Sequence, residues 1–178
     1  MMPKLKLLIL DAGVVIYLHE LGLWEQVRDQ CDVHLSRIVA EKEVLFEPGD
    51  EDGYGQDIDL SPDIKNNKVQ VFDVTVTELK EFREQFDPLY LGELDDGEAE
   101  SLAYMMKQPQ DFIISSGDHI VYRVLGNLGQ AEQGLSLEEI LQKIGLGRKL
   151  DWQYSKAFRE KYTTDGETAM IQGRGKKK

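Results

Sequence analysis

The chain has 178 residues, of which 41% are hydrophobic and 30% charged, so it can form a domain with a buried core and wholesale disorder is disfavoured. Its 21 basic and 33 acidic residues give a formal net charge of −12, which disfavours a protein that holds nucleic acid through a generally basic surface. The single cysteine excludes an intramolecular disulfide and a cysteine-based zinc site, and it fits a reducing compartment.

Neither a membrane-spanning segment nor a secretory signal is expected. No apolar run in the sequence approaches the ~20 residues that a transmembrane helix needs. The residues before Asp11 contain no small-residue cleavage site. We therefore expect a cytoplasmic protein with no membrane partner.

Strand and helix patterns alternate along the first half of the sequence. The predicted elements are a buried strand over residues 4–10, helices over 15–30 with a break at Gly22, a short strand over 32–35, and a helix over 37–46 with Ser36 as its N-cap. Residues 47–67 are rich in Gly, Pro, Asp and Asn instead, which predicts an exposed acidic loop. A loop of this length inside a compact domain is often functional or disordered.

The alternation continues in the second half. The predicted elements are a strand over residues 68–74, a helix capped by Thr75 or Thr77 and ended by Asp87-Pro88, a helix over 98–107, a short core strand over 112–114, a helix over 119–125, and a helix over 137–144 after a capping box at Ser136. Strands that alternate with helices indicate an α/β fold, here a three-layer sandwich with a mainly parallel central sheet.

The end of the sequence differs in charge from the rest. Residues 148–178 hold nine basic and four acidic side chains, whereas residues 1–147 hold 12 basic and 29 acidic ones. Aromatic residues recur in it at roughly helical spacing: Trp152, Tyr154, Phe158 and Tyr162. Such a stretch can stack on bases or bind phosphate, but we favour a helix that docks on its own domain or on another subunit. The predicted organisation is a domain over 1–147 and a C-terminal extension over 148–178 with a frayed, disordered end.

Acidic residues stand where predicted strands end and helices begin. Asp11 follows the first strand, and Asp118 lies just past the strand over 112–114. Ligands of open α/β sheets bind beyond the carboxyl ends of the strands, so these two acids can converge on one pocket. Carboxylate oxygens are the ligands that a hard divalent cation such as Mg²⁺ prefers. Glu98 and either Glu41 or Glu43, at or near helix starts, are the candidates to complete a cluster.

Acids at such positions also have an ordinary structural explanation. They cap helices and complement the helix dipole, and for Glu41, Glu43, Glu98 or Glu100 the spacing alone favours that explanation. Asp11 is different, because an acid that ends a very apolar strand is costly to bury without partners. Spacing alone does not decide between a structural and a metal-binding role.

Four segments resemble the PIN-domain family, in the order of that family's elements. Residues 8–16 (LILDAGVVI) resemble its opening strand, acid and small-residue turn, and residues 33–41 (VHLSRIVAE) resemble its next strand and the helix that carries the second acid. Residues 96–103 (DGEAESLA) are similar to the Gly-Glu-x-Glu-Ala helix of a PIN-like subgroup. Residues 113–118 (IISSGD) match the strand, Ser/Thr, x, Asp ending that supplies the fourth acid. The match covers about residues 4–146.

The resemblance implies an endoribonuclease that cleaves single-stranded RNA with Mg²⁺ or Mn²⁺, either as an RNA-processing enzyme or as the toxin of a toxin–antitoxin pair. A protein antitoxin and a homodimeric state are the partners that this interpretation suggests besides RNA. The residues carried over are the catalytic set Asp11, Glu41, Glu98 and Asp118, the metal ligands Asp11, Glu98 and Asp118, and the supporting residues Ser116 and Glu43. Ser116 would orient a carboxylate or a phosphate, and Glu43 would substitute for Glu41.

Two other interpretations stay open. Gly13 replaces a residue that is often Ser, Thr or Asn in the family, and the acidic loop over 47–67 would repel RNA, so a catalytically silent PIN-like binding module is the main alternative. A phosphatase of the haloacid-dehalogenase type also begins with a strand that ends in Asp. It ranks lower because it needs a second Asp where this chain has Gly13.

Overall fold

Four parallel strands form a central sheet. In this computed structural model, which describes residues 4–9, 11–42, 46–47, 56–107 and 112–177, they are β1 (Leu5–Ile9), β2 (Cys31–Ser36), β5 (Val69–Phe72) and β6 (Ile113–Ser115). Their order across the sheet is β5-β2-β1-β6, and each is parallel to its neighbours. The short strands β3 (Phe46–Glu47) and β4 (Gln56–Asp57) pair antiparallel with each other. The strand order reverses between β1 and β6, which makes that crevice the topological switch point where α/β folds bind ligands.

Helices cover both faces of the sheet. In the described ranges they are α1 (Ala12–Glu20), α2 (Trp24–Gln30), α3 (Ser61–Lys65), α4 (Val76–Glu84), α5 (Asp96–Lys107), α6 (His119–Asn127), α7 (Leu137–Lys143) and α8 (Lys156–Ile171). One apolar core contains side chains of α1, α2 and α7, and the other contains those of α4, α5, α6 and α8. Successive strand residues point to opposite faces, so Ile113 joins the first core and Ile114 the second. The predicted three-layer α/β sandwich is confirmed.

Several predicted helix boundaries are confirmed. The Thr75 hydroxyl accepts a hydrogen bond from the Glu78 N–H (3.1 Å) and caps α4. Ser136 forms the predicted capping box with Glu139 at the start of α7. Gly22 separates α1 from α2 with a φ of +69°, a backbone conformation that residues other than glycine rarely adopt.

The helix predicted over 37–46 is wrong in its extent. Ser36 caps the Val39 N–H as expected, with an Oγ–N distance of 3.1 Å. The helical residues after it form a π-helical turn over Ile38–Lys42, and Phe46 lies in β3. The local sequence pattern favours a helix that continues to Phe46. In the structure, Phe46 pairs with Asp57 of β4 and therefore belongs to a strand.

The loop predicted over 47–67 contains two regular elements, β4 and α3. Helix α3 is fixed by Asp63, whose carboxylate accepts hydrogen bonds from Trp24 Nε1 (2.9 Å) and Arg28 Nη1 (2.6 Å). These partners stand on α2, far away in the sequence, so no local pattern announces the helix. Two hydrogen bonds to a largely buried carboxylate are strong enough to hold so short an element.

The C-terminal extension docks on its own domain, as favoured from its sequence. Helix α8 packs on α6 at two glycines: a Cβ at Gly166 would lie 2.0 Å from the Arg123 carbonyl oxygen, and one at Gly126 would lie 2.3 Å from that of Thr163. The backbones of the two helices therefore approach more closely than any side chain would allow.

The segment after α8 is hydrogen-bonded rather than frayed. The Asp87 N–H donates to the Gly175 carbonyl (2.8 Å), and the Lys177 N–H donates to the Gln85 carbonyl (2.6 Å). Asn127 also binds this segment on both sides of Gly175. The composition of residues 173–177 suggests a loose end, but these partners from two distant elements order it. No helix within the described residues is long and apolar enough to cross a membrane.

Candidate active site

Asp11 joins the turn after β1 to the turn after β6. Its Oδ1 accepts a hydrogen bond from the Val14 N–H (2.9 Å), which caps α1. Its Oδ2 accepts hydrogen bonds from the Ser116 hydroxyl (2.6 Å) and the Gly117 N–H (2.9 Å). The hydrogen bonds of Asp11 therefore connect the two turns that follow β1 and β6 at the switch point. Ser116 orients a carboxylate, one of the two roles that the sequence suggests for it.

Asp118 lies on the same turn. Its N–H donates to the Ser116 hydroxyl oxygen (3.0 Å), and its Oδ1 accepts a hydrogen bond from the Ile120 N–H (3.3 Å) at the start of α6. Ser116 thus contacts both Asp11 and Asp118. Two acids that are remote in the sequence are brought to one edge of the sheet.

Glu98 is the most buried acid of this site, with 1% of its surface exposed. It lies in the first turn of α5, where its N–H donates to Asp95 Oδ1 (2.8 Å) and its Oε2 accepts from the Asp95 N–H (3.2 Å). The charge of Asp118 also acts on its carboxyl group.

Like charges act on one another across this group. Desolvation, followed by the charges of Asp118 and Asp95, raises the pKa of Glu98 far above its ordinary value of 4.5. Desolvation also raises the pKa of Asp95, with contributions from the charges of Asp11 and Asp118. We call Asp11, Asp95, Glu98 and Asp118 the acid cluster. Among the described residues, the groups that act most strongly on Glu98 and Asp95 include no lysine or arginine.

His119 contacts the acid cluster from the first turn of α6. Its Nδ1 lies 3.4 Å from Asp118 Oδ1, and its Nε2 lies 2.6 Å from Glu93 Oε2. Its ring also packs beside Tyr162 of α8, with 5.1 Å between ring centroids. Sequence analysis assigns His119 no functional role, because none of these partners forms a recognisable motif with it.

Tyr154 brings the C-terminal extension to the same place. Its hydroxyl donates a hydrogen bond to the Gly13 carbonyl (3.3 Å), and its ring stacks on Tyr17 with 4.2 Å between centroids. A Cβ at Gly117 would lie 2.8 Å from Tyr154 Cε1, so this turn needs glycine for the ring to fit. Desolvation raises the pKa of Tyr154 to about 12, so its hydroxyl remains a hydrogen-bond donor across the physiological range. The extension is therefore part of the wall of the site.

The second acid of the predicted set, Glu41, is paired with a basic residue. Glu41 is exposed and forms an ion pair with Arg37 (2.7 Å), which in turn binds Asp73. Glu41 is not among the groups that act most strongly on Glu98 or Asp95. Its role in the structure is that of a surface ion pair. Glu43, the substitute for Glu41, lies outside the described residues.

The donor chemistry of the acid cluster fits a hard divalent cation. Within the described ranges, no group of three His, Cys, Asp or Glu side chains is placed to hold a metal ion. Mg²⁺, however, is usually bound by one or two carboxylates together with waters and substrate phosphates. The Glu98–Asp118 pair supplies two carboxylates whose mutual repulsion a cation would relieve. Asp11 is a poorer ligand because both of its oxygens already accept hydrogen bonds.

Two further residues of the site are missed by sequence reasoning. Asp95 stands three residues before Glu98, and this D-x-x-E spacing is a capping-box pattern that could have revealed their contact. Tyr154 offers no comparable signal, because its partners Gly13 and Gly117 lie in a different part of the sequence. Only the docking of the extension places it there.

No protein-family model matches this chain, and neither a curated protein nor a solved structure is significantly similar to it. Any statement about function therefore depends on the residues and geometry described above.

Proposed function

We propose that this protein is a Mg²⁺- or Mn²⁺-dependent endoribonuclease of the PIN type that cleaves single-stranded RNA. The observation that supports it best is the Glu98–Asp118 pair, a buried carboxyl that faces the charge of another acid at the switch point of a parallel sheet. Such uncompensated burial is unfavourable for stability alone and is typical of functional sites. The resemblance of residues 8–16, 33–41, 96–103 and 113–118 to PIN domains gives the proposal its reaction class.

The residues of the acid cluster divide into two roles. Glu98 and Asp118 would hold the cation, and Glu98 would lose its proton when the cation binds. When bound, a divalent ion activates a water and neutralises negative charge that develops on the phosphate. Asp11 and Ser116 would position the turn that carries Asp118, since Ser116 bonds to both. Tyr154 would close one side of the site against solvent through its contacts with Gly13 and Gly117.

Cleavage of end-labelled single-stranded RNA in Mn²⁺, Mg²⁺ or EDTA tests this proposal. We expect metal-dependent cleavage by the native protein and at least a roughly hundredfold loss in Asp118→Asn and Glu98→Gln, as for loss of groups that hold a catalytic ion. Glu132→Gln is the matched control because it removes an exposed carboxylate elsewhere. Equal cleavage by all four proteins, or cleavage unaffected by EDTA, would contradict the proposal.

Glu41→Gln distinguishes the role that the resemblance implies for Glu41 from the contact that the structure shows. The resemblance assigns Glu41 to the catalytic set, whereas the structure pairs it with Arg37 at the surface. We therefore expect Glu41→Gln to cleave within about twofold of the native rate, as is usual for an exposed ion pair. A loss as large as that of Asp118→Asn would return Glu41 to the site.

A catalytically silent binding module is the second candidate function, and one observation favours it. The oxygens of Asp11 are already engaged, and no group of three His, Cys, Asp or Glu side chains in the described residues is placed to hold a metal ion. Thermal unfolding with and without Mn²⁺ discriminates the two, because a ligand that binds only the folded state raises the melting temperature. No shift up to millimolar Mn²⁺, combined with no cleavage, would favour the binding module.

A role as a toxin, with a protein antitoxin, a homodimeric state and a cytoplasmic location, belongs to the same proposal. It depends on the PIN resemblance alone. Growth arrest on expression of the native protein, but not of Asp118→Asn, is the direct test of the toxin role. Size-exclusion chromatography with light scattering tests the dimer.

A further inference from the structure

A cationic pocket lies between α6, α8 and the residues that follow α8. It has a volume of about 360 Å³ and is lined by Tyr90, Arg123, Asp165, Thr168, Ala169 and Arg174. Two of these six side chains are guanidinium groups and one is a carboxylate, so the pocket has a net positive charge. This contrasts with the acidic body of the protein.

The guanidinium groups of the two arginines have N–H donors that are available to a ligand. In the described part of the chain, Arg123 has Asp165 as its ion-pair partner at 4.0 Å, a long distance, and Arg174 binds the side-chain amide oxygen of Gln172. Each guanidinium has five N–H donors in a planar fork that suits phosphate and carboxylate oxygens. Desolvation raises the pKa of Tyr90, and the charges of Arg123 and Arg174 act on it in the opposite direction, so both guanidinium groups lie near that hydroxyl.

The walls of the pocket are held in place. The Tyr90 hydroxyl donates to the Arg123 carbonyl (3.3 Å), and the Arg174 carbonyl accepts from Asn127 Nδ2 (2.8 Å). The Arg174 N–H also donates to the Ala169 carbonyl (2.8 Å), which closes the turn after α8. A site with fixed walls loses less conformational entropy when it binds a ligand.

A continuous row of side chains connects the pocket with the acid cluster. Asp118 contacts His119, His119 packs beside the ring of Tyr162, and the Arg123 guanidinium lies 5.1 Å from the centre of that ring. His119 and Arg123 are four residues apart on α6 and therefore lie on one face, with a rise of about 6 Å between them. The ring between them also packs against Phe158 and Lys161, so this row is a fixed link between the pocket and the acid cluster.

We propose that Arg123 and Arg174 bind a backbone phosphate of the single-stranded RNA whose cleavage takes place at the acid cluster. This inference rests on the proposed function for its choice of ligand. It also explains how a chain with a net charge of −12 can hold a polyanion, because two arginines meet at one pocket.

Fluorescence anisotropy with labelled oligouridylate in EDTA tests this pocket without cleavage. We expect the double variant Arg123→Gln/Arg174→Gln to bind roughly tenfold more weakly, and to lower the slope of log K against log salt by about one for each phosphate that is no longer bound. Arg148→Gln/Lys149→Gln is the matched control, since it removes two exposed cations from the same extension. Circular dichroism melts verify that both variants are folded.

The outcomes are separable from those of the proposed function. Equal weakening by the control variant would overturn the pocket, because it would indicate only nonspecific attraction. Binding of inorganic phosphate or uridine monophosphate in a calorimetric titration, without any binding of the oligonucleotide, would overturn the RNA backbone as its ligand. Asp118→Asn should keep its affinity in EDTA, so a protein that binds RNA through the arginines but does not cleave it refutes the proposed activity and supports the pocket.

Discussion

Glu98 and Glu139 occupy the same local position and have opposite surroundings. Each is the third residue after a helix cap and accepts a hydrogen bond from the cap N–H, from Asp95 at 3.2 Å and from Ser136 at 2.8 Å. Arg159 binds Glu139 through two hydrogen bonds (2.6 and 2.8 Å), whereas Glu98 has Asp118 and Asp95 as its charged neighbours. Desolvation opposes ionisation of both, but Arg159 and Ser136 lower the pKa of Glu139 while the neighbouring acids raise that of Glu98.

The difference separates a structural acid from a functional one. A buried carboxylate that faces an arginine is neutralised by the protein itself and holds two helices together. A buried carboxyl that faces other acids is neutralised only by a proton, or by a cation from solution. The capping pattern is shared, so it is the partner from elsewhere in the fold that decides the role.

The largest effect is expected from Arg159→Met, which leaves Glu139 without its cation. Both side chains are about 15% exposed or less, so the loss should lower the free energy of unfolding by about 3 kcal/mol. Urea denaturation at pH 7 measures it, with Lys156→Met, exposed on the same helix, as the control expected to change stability by less than about 0.5 kcal/mol. A similar small change for both would mean that the Glu139–Arg159 pair is not a structural anchor.

Gly166→Ala should destabilise the packing of α8 through its contact with α6. The new Cβ would meet the Arg123 carbonyl at 2.0 Å and push α8, which carries Arg159, away from α6. We expect a destabilisation of about 2 kcal/mol, within the range for overpacked contacts. Ala157→Gly, at an exposed position of α8, is a control for helix propensity, and should cost about 1 kcal/mol or less. A neutral Gly166→Ala would contradict the close approach of the two helices.

Glu98→Gln should raise the free energy of unfolding, whereas the two preceding variants should lower it. Because the pKa of Glu98 is raised on folding, the protein takes up a proton above the unfolded pKa of about 4.5, and stability falls as the pH rises toward the folded pKa. Glutamine is neutral at every pH, so we expect the variant to be about 1 kcal/mol more stable than the native protein at pH 8 in EDTA, and equal to it near pH 4. Urea denaturation at a series of pH values measures this.

Glu139→Gln is the counterpart of that experiment. It removes the carboxylate that Arg159 binds, so it should destabilise the protein at pH 8 rather than stabilise it. If both glutamine variants moved stability in the same direction, the contrast between the two acids would be wrong. Addition of Mn²⁺ should reduce the advantage of Glu98→Gln, since a bound cation stabilises the native carboxylates.

Sequence patterns account for the scaffold better than for the chemistry. Apolar periodicity places β1, α5 and β6 because a buried face is a local property, and the acids at their ends follow from parallel topology. Local patterns show only some of the ion pairs: Glu41 pairs with Arg37 at the helical spacing of four residues, whereas Glu139 pairs with Arg159 only because α8 docks on the domain. Asp63 and Tyr154 likewise depend on partners from remote segments.

Asp95→Asn is the smallest and most selective change. Asparagine keeps an oxygen that accepts the hydrogen bond from the Glu98 N–H, so the start of α5 is preserved, but it removes one of the charges that raise the pKa of Glu98. Asp95 is itself exposed, so its charge is screened, and we expect a gain of no more than about 0.5 kcal/mol at pH 8. The decisive readout is the pH dependence of stability, which should become shallower between pH 5 and 8 if Asp95 repels Glu98, and should not change if Asp95 serves only as a helix cap.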